Sequence, residues 1–208
     1  MLNLLRKDFI AFKSSLWMSL MFLTVFSVFF IPKLSSSVHL VGIYTGFATL
    51  SHATMIDIKN HNHNFLVTLP ISRKNIVKAK YITGFIISLV SVLASYGIHM
   101  FVTSVFPAIN KPELTVMDIL GPIGIVLVLS SIYLPLFYSL SKKGTSIING
   151  VFLILLLALA QPTAMFMNMI NENRLHSDPT LYLILIGIML LFIASYFLAA
   201  ALFTRKDL

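Results

Sequence analysis

The sequence predicts an all-α, polytopic membrane protein: six transmembrane helices, an N-terminal amphipathic helix lying in the membrane interface, and a long cytoplasmic docking loop. Two observations carry this. The 208-residue chain is 58% hydrophobic and only 11% charged, against roughly 25% charged residues in a soluble domain. The apolar residues also recur in segments along the whole length instead of gathering in one anchor.

Residues 1–14 place Leu2, Leu5, Phe9 and Phe12 on one helical stripe and Asn3, Arg6, Lys7 and Lys13 opposite. That is the pattern of a helix lying flat at the membrane surface; the alternative is a frayed start to the first span. A cleavable signal peptide is the poorer reading, because no small-x-small site follows Ile31 and apolar segments continue to the C-terminus. Spans are expected at about 15–32, 38–57, 81–106, 118–140, 145–167 and 180–203. The second is the most dilute, carrying Thr45, Thr49, Ser51, His52 and Thr54. The fifth meets Gln161-Pro162 after Ile147–Ala160, about 21 Å of helix, short of a ~30 Å hydrocarbon core. Either the helix breaks there and re-enters the membrane, or it merely kinks.

Placing the N-terminus in the cytoplasm puts twelve of the 15 cations on the inner side and leaves only Lys33, Lys111 and Arg174 outside. The positive-inside rule therefore predicts both termini in the cytoplasm. It also accounts for the net charge of +8, so nucleic acid is not an expected partner. Cysteine is absent, which excludes disulfides and thiolate chemistry. No phosphate loop, H-E-x-x-H or G-x-S-x-G occurs, so the chain is expected to be neither an ATPase nor a hydrolase, and no cofactor is expected in it. The His61 and His63 pair in "HNH" lacks a third ligand and reads as solvated.

The longest inner loop, 58–80, holds Phe65, Leu66, Val67 and Leu69 where cytosol is expected, which marks a partner surface. Pro70 interrupts the chain, and Ser72 is a suitable N-cap for the helix that becomes the third span. Within the spans, Ser88, Ser91, Ser95 and His99 share one face of the third helix, and Thr45, Thr49 and His52 one face of the second. Such polar residues either line a transport path or pack helices together. Packing is the better reading for the serines; for His52 and His99 both stay open. Thr49, His52, Ser95 and His99 are the path candidates.

The loop "FLVTLPISRKNIVKAKYI" resembles the L-P-[IV]-S-R-x-x-[IV]-x-x-[AS]-[KR]-Y block of ABC-2 type exporter permeases. "LLRKDF" resembles that family's amphipathic start and "LFTRKDL" its basic end. Within the family the chain is most similar to permeases of the phenol-soluble modulin exporter, which expels amphipathic peptides. The resemblance implies a permease subunit in the bacterial cytoplasmic membrane. It would pair with a second permease subunit, identical or not, and with separate ABC ATPase subunits that bind ATP and Mg. It implies a coupling helix at Asn64, Phe65, Leu66 and on to Leu69, with Pro70, Arg73 and Lys74 at its exit. A non-transporting scaffold or immunity protein and an intramembrane enzyme using His52 or His99 are the alternative functions.

Overall fold

In the computed structural model, the structure describes residues 17–31, 37–59, 72–106, 117–140, 142–169 and 179–205. The interfacial segment 1–14 and the loop carrying Asn64, Phe65, Leu66, Leu69 and Pro70 lie outside them. All regular structure among the described residues is helical: α1 (Trp17–Phe30), α2 (Ser37–Lys59), α3 (Arg73–Val105), α4 (Met117–Ser139), α5 (Lys142–Met169) and α6 (Pro179–Arg205). By length and composition, Arg73–Val105, Asp118–Ser139 and Leu183–Arg205 can cross a membrane, while Trp17–Phe30 and Gly144–Leu156 are shorter apolar helices.

The helices alternate in direction. Along α2 and α3, Val38 meets Ser95, Leu50 meets Gly84 and Asp57 meets Lys80, so one number rises as the other falls. Along α2 and α4, His39 meets Asp118 and Thr54 meets Tyr133, both rising together. The same test makes α5 antiparallel to α2, through Tyr44–Leu156 and Phe47–Phe152, and hence to α4, whereas α6 is parallel to α4 through Ser131–Ser195 and Tyr138–Phe203.

α2, the most polar span by sequence, lies at the centre, with every residue from Ser37 to Ser51 buried. Its hydroxyls and glycines suit that place. A Cβ on Gly42 would come within 3.3 Å of the Val92 Cα on α3, so glycine is what lets the two backbones approach. Around it, Phe47, Tyr133 and Phe152 pack ring against ring at 5.3–5.6 Å between centroids, and α6 closes the core with Phe192, Ala199 and Phe203. Many large apolar side chains are exposed, for example Leu20, Val28 and Phe29 on α1, Ile147 and Ile154 on α5, and Leu183, Leu190 and Phe197 on α6. A bundle with apolar faces outward and hydroxyls inward is built for lipid as solvent.

Two helices extend beyond the spans expected from the sequence. α5 does not break at Gln161-Pro162; it runs as one helix of 28 residues to Met169, about 42 Å. Proline removes one backbone donor, whereas ending the helix among lipid would strand several groups. Next to the gap, the Thr163 hydroxyl donates to the Leu159 carbonyl at 2.8 Å. α3 begins at Arg73, directly after its expected N-cap Ser72 and ahead of the span expected from about 81. With 33 residues it is about 50 Å long, longer than a hydrocarbon core by several turns.

Candidate functional site

The end of the bundle from which the 60–71 loop leaves is built from the last turn of α2, the first turns of α3 and the last turn of α6. Ser72 caps α3: its side chain accepts from the Asn75 backbone N–H at 3.4 Å, and its carbonyl from the same N–H at 2.9 Å. The N-cap therefore lies two residues beyond Pro70 and the helix starts at Arg73, so any pull on the loop acts directly on α3.

Two contacts tie that start to its neighbours. The Lys80 ammonium donates to the Asp57 carboxylate, and both side chains are almost wholly buried (6% and 4% exposed). This pair joins the two stems of the loop, α2 and α3, where each charge alone would be costly to desolvate. The Arg73 guanidinium donates to the Phe203 and Thr204 carbonyls at 3.3 and 3.2 Å. Those carbonyls belong to the last turn of α6, which has no further helical N–H to take and carries the negative end of the helix dipole. Arg73 thus binds α6, while Lys74 is exposed and free to meet a partner.

The four path candidates do not share one surface. Thr49 lies 3.0 Å from Ser19 on α1, hydroxyl to hydroxyl, and His52 meets Phe22 of the same helix edge-on at 6.3 Å between centroids. Ser95 instead donates to the Val38 carbonyl at 2.8 Å in the α2–α3 seam, and His99 is buried one turn further along α3. Ser91 sits opposite Gly46 in that seam. Of the four, only His52 is partly open.

Three further polar clusters have no counterpart in the sequence reading. Tyr133 donates to the Asn149 Oδ1 at 2.5 Å and shares a hydrogen bond with Thr54, joining α4, α5 and α2. Tyr81 and Ser195 link α3 to α6 at 2.6 Å, and Ser195 donates to the Ser131 carbonyl of α4 at 2.6 Å. At the end remote from the 60–71 loop, His39 Nε2 lies 3.1 Å from Asp118 Oδ1, both side chains buried. An aspartate at the edge of an apolar run, a basic residue on the adjoining helix and a proline inside a span were the signals available for these.

Apolar outer faces, alternating helix direction and a buried polar interior define a multi-pass membrane protein. The chain belongs to the ABC-2 family of transporter proteins, whose family model matches residues 3–204. No curated protein and no solved structure matches the chain. Membership makes it a membrane component of an ABC transporter, one that is not itself catalytic.

Proposed function

We propose that the chain is the permease of an ABC exporter. It crosses the bacterial cytoplasmic membrane six times with both termini inside, pairs with a second permease, and moves amphipathic peptides of the phenol-soluble modulin kind outward. Energy comes from a separate ATPase that binds ATP and Mg and docks on the 60–71 loop. The observation that carries this reading is the construction of α3. It is one unbroken helix from the loop exit through the bundle, fastened to α2 by Lys80–Asp57 and to α6 by Arg73. Displacement of the loop is therefore delivered to three helices together. The alternating helix directions suit consecutive crossings. Thr49, Ser95 and His99 meet a substrate only when their seams part, whereas His52 is accessible from the outset.

Deleting the chain tests the function. Cells without it are expected to accumulate amphipathic peptides and to become more sensitive to added ones, and the tagged chain is expected to co-purify with an ATPase. Unchanged peptide levels on both sides of the membrane would remove the substrate class.

The crossings are tested separately, on a background that contains no cysteine. Single cysteines at Lys111 or Asn173 are expected to react with an impermeant thiol reagent in intact cells, and those at Asn62 or Lys143 to stay unlabelled. Labelling at Asn62 from outside would invert the topology.

A further inference from the structure

Pro135 stands inside α4. A residue there would normally donate its N–H to the carbonyl four positions back, and proline has none to give. The carbonyl left without its helical partner is that of Ser131. It is this carbonyl to which Ser195, on α6, donates at 2.6 Å. Ser195 has a single hydroxyl hydrogen, so once that is committed to Ser131 the Tyr81 hydroxyl, 2.6 Å away, must be the donor to Ser195. The three groups form a directed chain, Tyr81 to Ser195 to Ser131, from α3 through α6 to the proline site of α4. All three residues are buried.

The helix around the gap is softened further. The hydroxyls of Ser130 and Ser131 donate back to the Val126 and Leu127 carbonyls, each at 2.7 Å, a pattern that bends helices. Helices with a proline in their interior flex at that point. Tyr81 lies two turns from Arg73, on the part of α3 that the loop moves.

We propose that Pro135 is a hinge in α4 held shut by a latch, Ser195, and that Tyr81 sets the latch. Shift of the loop end of α3 withdraws Tyr81, which removes the donor that orients the Ser195 hydroxyl and loosens its hold on the Ser131 carbonyl. α4 then bends at Pro135. Tyr81 and Ser195 are positioning residues: neither needs to touch substrate, and both act on the angle of α4. The motion belongs to the export cycle proposed above and rests on that reading; the latch itself is a property of the chain alone.

The test is a mutant cycle read in two ways. On the purified chain in detergent, Ser195→Ala strands the Ser131 carbonyl, and its thermal transition is expected to fall by roughly 2–8 °C. Pro135→Ala supplies an N–H to the same carbonyl, so adding Ser195→Ala to it is expected to cost less than half as much. Equal losses in the two backgrounds would show that Ser195 does not serve the proline gap, and would overturn the latch. Tyr81→Phe separates the setting of the latch from the gap: it is expected to lower the transition in both backgrounds. In cells, Pro135→Ala is expected to leave the protein at normal abundance and to lower peptide export at least fivefold, since the hinge is stiffened. Full export by Pro135→Ala would overturn the hinge. If the unmodified chain exports no peptide, the proposed function fails instead, and the thermal cycle still decides the latch.

Discussion

Export is expected to stop, and the ATPase to be lost on purification, when Phe65 and Leu69 are both replaced by alanine. With Leu66, these are the apolar side chains of 58–80 least suited to cytosol, and losing a buried anchor of this type at an interface costs about 2 kcal/mol or more. Two such losses amount to a fall in affinity of several hundred-fold or more, since each 1.4 kcal/mol is a factor of ten. Insertion and abundance should be unaffected, because both residues lie outside α1 to α6. Arg73→Ala with Lys74→Ala makes the contrast. Lys74 is exposed, and as a rim charge it should matter more for orientation than for affinity. Arg73 is held on the end of α6, so its loss should loosen α3 from α6 and reduce export even where the ATPase remains bound. A Phe65, Leu69 double variant that keeps both its ATPase and full export would remove the docking role from the loop.

Lys80→Met is expected to be among the most damaging single changes in the bundle. It takes the Lys80 ammonium away from the buried Asp57 carboxylate, and breaking a buried pair from one side typically costs about 3–5 kcal/mol. The expected results are low membrane abundance and a lowered thermal transition, with Asp57→Leu behaving alike. Combining the two changes removes both charges and should recover much of the stability, because an apolar pair of similar size is often as stable as the ions it replaces. Measured as a double-mutant cycle, the coupling should be large and of the sign that favours the pair. Additive losses would mean that Lys80 and Asp57 do not compensate one another. The recovered double variant then asks a functional question, since it restores packing between α2 and α3 without a directional bond.

Much of the helical layout was legible because long apolar runs bounded by charge admit few alternatives. The end of α6 falls where Arg205 interrupts the run, and the start of α3 where Ser72 can cap a helix. What escaped the sequence was pairing. Lys80 reads as one more inward cation and Asp57 as a minor acid, since nothing in one dimension shows that they meet across 23 residues. Arg73 reads as a rim charge for a partner, and its acceptors are more than a hundred positions away. Pro162 drew notice because it shortens an apolar run, yet its helix continues. Pro135 drew none, although its missing donor is what gives Ser195 a purpose. The sequence groups the polar residues of α2 and α3 by face, but a face does not say which neighbour it meets. Thr49 and His52 meet α1, while Ser95 meets α2.

The burial of α2 on every side bears on how the protein is made. From Ser37 to Ser51 this helix turns no face outward, and its threonines, serines and histidines are poorly matched to lipid. A segment of that kind gains little by leaving the insertion machinery alone. Its close-packed seam with α3, through Gly42 and Gly46, supplies the nearest partner to emerge after it. Biogenesis is then expected to proceed by pairs, α2 entering the membrane together with α3 as a hairpin.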